Sequence, residues 1–405
     1  MHMFHKIKMS LGIVVLLATS FWIGNKIFRY FTHQTPPEIS LIGLERGGSY
    51  AKQLCCTVKS DGSYKVGYLY LFLDGKPFDF ARTNRIGSQY FERSVTIDLQ
   101  GLADGQHTLD LEAVDSSYNR NKIKESWNFI VDNTPLRAGF LESEYRVSQG
   151  KTLHLKIQAN KKLLKGSIKF LNQSYNFYPE TDDSTLYECF VPIDCEESPC
   201  QVVAVAQIED LVHNICNLSC TIQVNAFPFK KQRGFSVSQE KLDNEKEMSM
   251  NTKILREAID RWVKESPSKK LWNGPFEYPI EVQKMTTPFG EIRMTPERGR
   301  YLHKGVDLIN RPKCVVWASQ HGKVIIKDRF LMTGNTVVLD HGRGIFTLYA
   351  HLEDYADISV GDMVKKGNPV GRLGMTGYAT GYHLHWELLV NGVPVDPLEW
   401  LEKVY

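Results

Sequence analysis

This chain of 405 residues has no excess of charge of either sign: 49 Lys and Arg stand against 46 Asp and Glu, a net charge of +3. Charge therefore makes no case for a nucleic-acid partner. Low-complexity tracts are absent too. The 17 Pro and 30 Gly are scattered as punctuation, and hydrophobic residues make up 42% of the chain, which excludes long disorder. No His-Glu-x-x-His string occurs, so the pattern in which one helix carries two zinc ligands and a Glu base does not apply. No Cys-x-x-Cys pair occurs either. A structural zinc site would have to be built from Cys195-x4-Cys200 and Cys216-x3-Cys220, spacings without the strength of the CxxC type.

What the chain does have is a concentration of imidazole near its end. Six of its 12 His fall between His303 and His385. The string His303-Lys-Gly-Val-Asp307 and the later His383-Leu-His385 supply three His and one Asp, the residue types of a catalytic zinc site. On a strand His383 and His385 share a face, so both imidazoles can reach one cavity. A hydrolytic zinc keeps three protein ligands and leaves a fourth position to water. Tyr349-Ala-His351-Leu offers one more imidazole. Glu387, two residues past His385, falls on the same face, either to orient a ligand or as a solvated carboxylate. His321 reads as an ordinary surface histidine and His341 as a structural residue at a strand end.

The stretch from about Met285 to Leu401 resembles the M23 zinc metallopeptidases, the lysostaphin or LytM-type peptidoglycan endopeptidases. The matching strings are TTPFG (286–290), HKGVD (303–307), GKV (322–324), GNTVVLDHG (334–342), YAHL (349–352), VGDMVKKGNPVGRLGMTGYATGYHLHWEL (360–388) and VDPLEW (395–400). The resemblance implies one Zn2+ held by His303, Asp307 and His385, with His351 and His383 catalytic and not ligands. It departs at Lys313-Cys314-Val315, where the family usually has a Gly-Thr-Pro turn, and at Tyr382, where Pro often precedes HLH. Neither position is a ligand. The implied activity is hydrolysis of peptide cross-links in peptidoglycan. The alternative is a non-catalytic LytM-type regulator that binds and activates a cell-wall amidase.

The expected fold is mainly β: an N-terminal membrane helix, two β-sandwich (Ig-like) modules, a linking helix and a C-terminal antiparallel β peptidase domain of the M23 type. The boundaries read as 1–36, 37–133, 134–226, 227–278 and 279–405. In the first segment Lys6 and Lys8 precede an apolar run from about Met9 to Gly24. It is near the short end for a membrane span. Phe21-Trp22-Ile23 continue it past the poor small-x-small site Ala18-Thr19-Ser20, favouring an uncleaved anchor over a secretory signal. Either reading puts the body outside the cytoplasm, in the cell envelope, with envelope proteins as further partners for the modules.

The two modules look like one repeated unit. Alternating HTLDLEAVD and then Asp115-x-x-x-Asn119 in the first correspond to QVVAVAQIED and Asp210-x-x-x-Asn214 in the second. Each Asp and Asn is expected to make a local side-chain-to-backbone turn. Asp74-Gly75 after GYLYLFL signals a hairpin. Among the 8 cysteines, Cys195/Cys200 and Cys216/Cys220 are close enough in sequence to invite pairing in an oxidising compartment. Adjacent Cys55 and Cys56 point to opposite faces of a strand, and Cys314 reads as buried. In the linker, Asn251-Thr252 is expected to cap a helix whose apolar stripe is Ile254, Leu255, Ala258, Ile259, Trp262 and Val263, ended by Pro267. The stripe is expected to pack on the peptidase domain or the second module, with covering of the groove as a regulatory option.

Overall fold

The computed structural model describes residues 2–78, 85–232, 245–295 and 299–405, with side chains described for 15–60, 64–78, 86–232, 250–294 and 300–405. The chain is mainly β and divides into two compact bodies, residues 1–135 with 211–214, and residues 136–210 with 215–405.

The first body begins with a helix, His2–Thr32. Among the described residues no helix is long and apolar enough to cross a membrane, so the expected membrane helix gains no support. The strands that follow form one hydrogen-bonded sheet, joined through the 21-residue strand Gln53–Leu73. The first part of that strand pairs with Arg85–Asp98 and, after register shifts around Val66, the rest pairs with Gly105–Asp115. The alternation in HTLDLEAVD buries Leu109, Leu111 and Ala113 on one face, as its period demands. Asp74 and Gly75 both take positive φ in a tight hairpin, which only such residues tolerate cheaply. Asp115 makes the expected turn, accepting hydrogen bonds from the backbone N–H of Ser117 and Asn121. Asn119 does not join it; its amide donates to the His33 carbonyl just past the helix end.

In the second body, residues 138–210 and 215–225 form a four-stranded and a five-stranded sheet closed on a common core of Leu155, Ile157, Ile168, Ala206, Ile208 and Ile222. This is the expected sandwich layering; the Ig-like class rests on sequence pattern alone. All eight cysteines are free thiols. Cys216 and Cys220 lie on one strand, Ile215–Asn225. Four positions along a strand separate them by about 13 Å, beyond the reach of a disulfide. Cys195 is instead buried beside Lys304, whose ammonium lies 3.3 Å from its sulfur. Cys55 is exposed and Cys56 buried, as alternation requires, whereas Cys314 is only partly buried.

The C-terminal part of this body holds a ten-stranded sheet whose pairings are all antiparallel, and a three-stranded sheet in which Lys231–Gln232 runs parallel to Ile292–Thr295. Both faces are covered. Val337 and Leu339 point into one core with Val306, Leu384 and Trp386, while Val338 points into another with Phe346, Leu348 and Leu389. The unbroken burial of Ile345–Leu352 follows from that double covering. The second core is closed by the linker helix, Glu245–Glu265, through Leu255 and Ile259. The helix begins before Asn251-Thr252, so these residues lie inside it; Asn251 Oδ1 accepts the Leu331 N–H. Ile254 is exposed and leaves the expected stripe. Phe190 of the sandwich packs with Trp272, Phe276, Trp400 and Tyr405 of the C-terminal part, next to a buried Arg343–Glu188 ion pair.

Candidate metal centre

Three strands position the site. Val306–Ile309 pairs antiparallel with Leu384–Val390, bringing Asp307 directly opposite His385. Ile345–Tyr355 flanks Leu384–Val390 on its other side, with Ala350 opposite His385. The close approach of the first pair needs Gly305. A Cβ there would meet the Trp386 carbonyl oxygen at 2.5 Å and His385 Cε1 at 3.0 Å. The Gly of HKGVD therefore has a steric reason, not only a conformational one.

His303 Nε2 and His385 Nδ1 each lie about one hydrogen-bond length from the same Asp307 oxygen, at 3.0 and 2.9 Å, and 3.0 Å from each other. The remaining ring nitrogens are occupied. His303 Nδ1 donates to the Pro288 carbonyl at 3.3 Å, and His385 Nε2 donates to Glu387 Oε1 at 2.9 Å. With each ring in its neutral form, those protons leave two imidazole lone pairs and a carboxylate oxygen converging on one point. Such a donor set can hold a cation, and two His with one Asp suit zinc with an open position. Among the described residues this is the one group of His, Cys, Asp or Glu with that convergence.

His351 and His383 border the triad. Their ring centroids are 4.7 Å apart, and His351 is 6.0 Å from His385. His383 stands one residue before the strand that begins at Leu384, so only His385 of the pair is in it, yet its Nε2 comes within 3.8 Å of Asp307. His351 Nδ1 donates to the Thr376 carbonyl at 2.8 Å and His383 Nδ1 to the Gly381 carbonyl at 2.9 Å. Both rings thus keep Nε2 as an acceptor. His351 has a φ of 58°, in a strand whose pairing slips register close by. A left-handed residue inside a strand is strained, and the kink re-aims its side chain into the groove.

The electrostatics separate the imidazoles. Burial, then the neighbouring His383 and His385, push His351 down to about 3, so it is neutral at physiological pH. Burial alone would lower His385, but Asp307 and Glu387 outweigh it and raise it to about 9. Burial opposes ionisation of Asp307 as well, yet His303 and His385 hold its carboxyl well below the usual carboxylate range. Glu387, against the effect of its own burial, is brought down to about 2 by Arg256 and His385. Each carboxylate is therefore an anion that accepts from, or faces, an imidazole.

All five expected residues meet in one groove of about 780 Å³, walled also by Tyr301, Tyr378 and Tyr382. Glu387 is 3% exposed and hydrogen-bonded to His385, so the solvated alternative for it falls. His341 is fully buried outside the groove, between the His321 carbonyl and Thr347, as a structural histidine. Sequence reasoning missed Arg256 of the linker helix, which contacts Glu387 from 131 positions away. It also missed the carbonyls of Pro288 and Thr376, whose role depends on backbone position and leaves no side-chain signature.

Residues 301–397 match the family model for peptidase family M23. A DD-carboxypeptidase/endopeptidase of Neisseria meningitidis is 37% identical over 121 residues, 30% of this chain and 27% of that protein. A peptidoglycan DD-endopeptidase of Vibrio cholerae is 33% identical over 120 residues, 29% of this chain and 28% of its own length. This chain thus spans just over a quarter of the length of the curated relatives it matches. Among solved structures, the antimicrobial peptidase lysostaphin from Staphylococcus simulans is 31% identical, covering 29% of this chain and 49% of that one, with a TM-score of 0.26.

Proposed function

We propose, from an M23 peptidase domain at residues 301–397, that this chain is a zinc-dependent endopeptidase that cuts peptide cross-links of peptidoglycan. The observation that carries the reading is the convergence of His303 Nε2, Asp307 Oδ1 and His385 Nδ1, with two further imidazoles beside them. Those three residues would hold the ion. When bound, it would acidify water and polarise the scissile carbonyl. His351 and His383 present Nε2 acceptors to the groove, so they orient the attacking water by accepting hydrogen bonds from it. The imidazole that takes a proton during attack returns it to the leaving amine. The tyrosines of the groove wall supply apolar surface against which a peptide stem can lie.

The DD-endopeptidase names of the Neisseria and Vibrio relatives support a D,D-cross-link over a glycine bridge as the bond cut. Such a substrate places the working protein in the cell envelope. The regulator alternative has no observation in its favour, because the donor set is complete.

The test is incubation of the protein with isolated sacculi, with and without a chelator, and mass spectrometry of the released muropeptides. Chelator-sensitive loss of cross-linked dimers is expected. His303→Ala abolishes zinc binding and cleavage together, whereas His351→Ala and His383→Ala keep zinc and lower turnover by about 10²–10⁴-fold. Dimers that persist with zinc bound would sink the enzyme reading, and loss of metal in either catalytic variant would overturn the division of roles.

A further inference from the structure

The metal ligand His385 is backed by a chain of charge that ends outside the matched domain. His385 Nε2 donates to Glu387 Oε1 at 2.9 Å, and Glu387 in turn receives two parallel hydrogen bonds from Arg256, at 2.7 and 2.8 Å. The Glu387 side chain is 3% exposed and that of Arg256 29%. Arg256 belongs to the linker helix, upstream of the residues that the family model covers. Its neighbours Leu255 and Ile259 are buried in the core with Leu389, on the same face of the sheet as Glu387, so the docked helix dictates where the guanidinium sits.

We propose that Arg256 is a positioning residue for the metal centre, acting through Glu387 to fix the ring of His385. The inference rests on the peptidase reading of the same site. A carboxylate held at one oxygen by one imidazole is free to rotate about its last bond. A two-pronged guanidinium fixes the carboxylate plane as well as its place. With that plane fixed, the Nε2–H direction of His385 is fixed, and the Nδ1 lone pair is aimed at the point it shares with His303 and Asp307. Arg256 also keeps the buried Glu387 charge compensated; alone, that carboxylate would draw in water or turn away. Docking of the linker helix is thereby coupled to the quality of the metal site.

A double-mutant cycle on the full chain tests this. Zinc affinity of the metal-free protein is measured by chelator competition for wild type, Arg256→Met, Glu387→Gln and the double variant, with Arg256→Lys as the conservative case. The visible spectrum of the cobalt(II)-loaded proteins reports ligand geometry. Arg256→Met is expected to weaken zinc binding about 10-fold or more and to change the cobalt spectrum, with partial recovery in Arg256→Lys. The double variant should bind zinc no more weakly than Glu387→Gln alone, because the arginine acts only through that carboxylate. Arg256→Met that binds zinc within twofold of wild type with an unchanged spectrum overturns the proposal, as do additive effects in the cycle. Where Arg256→Met fails to fold, the double variant, lacking both charges, carries the test: wild-type affinity in it overturns the proposal. A wild-type protein that binds zinc yet leaves sacculi intact sinks the peptidase reading while this comparison still decides. No zinc binding by wild type sinks both.

Discussion

At the scale of single residues, the histidines of the C-terminal part are differentiated by burial and by the charges they face. Burial would lower His385, but it faces two carboxylates and is raised to about 9; His351, buried beside His383 and His385, is pushed down to about 3. His341 is the structural counterpart. Burial pushes it down to about 4, with its Nδ1 donating to the His321 carbonyl and its Nε2 2.8 Å from Thr347 Oγ1. Its folded value lies below the ordinary 6.5, so between the two the unfolded chain binds the extra proton and stability falls with falling pH. The contribution is intact above about pH 6.5 and is lost toward pH 4, on the order of 3 kcal/mol in all. Thermal unfolding between pH 7 and pH 4 should show His341→Gln less sensitive to acid than wild type across that window. Equal slopes would mean that other groups carry the acid sensitivity.

Among the secondary elements, the linker helix stands out because one short stretch does two jobs. Leu255 and Ile259 close the core formed by Ile325, Val338, Phe346, Leu348 and Leu389, and Arg256 between them reaches Glu387. The helix is thus not a loose tether, and its Thr252 and Arg256 line the groove. Ile259 is fully buried, so Ile259→Ala is expected to destabilise the second body by about 2–5 kcal/mol, with the spread set by how far the site collapses. The unfolding midpoint in urea checks this, and a shift indistinguishable from that of exposed Ile254→Ala would show that the helix is not part of the folded core.

On the scale of the whole chain, the sandwich of residues 138–210 and 215–225 and the C-terminal sheet belong to one compact body. Besides the Phe190 cluster, Arg343 ties them by pairing with Glu188 and donating to the Pro179 carbonyl at 2.6 Å. Arg343 and Glu188 are 4% and 1% exposed at their side chains. Removing Arg343 leaves the buried Glu188 carboxylate, among the described residues, only His154, 2.8 Å away, as an ion-pair partner within reach. Arg343→Met is therefore expected to cost about 3–5 kcal/mol, and Arg343→Met with Glu188→Gln less than the single change. Calorimetry on both variants decides it; a double variant less stable than the single one would show that the pair is not coupled.

Much of this molecule was determined by local sequence. Strand alternation in HTLDLEAVD, the opposite fates of Cys55 and Cys56 and, Ile254 apart, the apolar stripe of the linker helix follow from periods of 2 and 3.6, and the Asp74-Gly75 hairpin from turn residues that tolerate positive φ. The five candidate residues stood out because metal chemistry admits few residue types and the strings holding them are compact; their division into ligands and catalytic groups came from the M23 resemblance. Tertiary structure alone decided the rest. The pairing that sets Asp307 opposite His385, the strained backbone at His351 and the burial of Glu387 are products of strand register. The reach of Arg256 to Glu387 depends on where a helix docks. Cysteines close in sequence were held apart because a strand extends them away from each other. Sequence neighbours share an element's geometry, whereas partners distant in sequence meet only through the packing of the whole sheet.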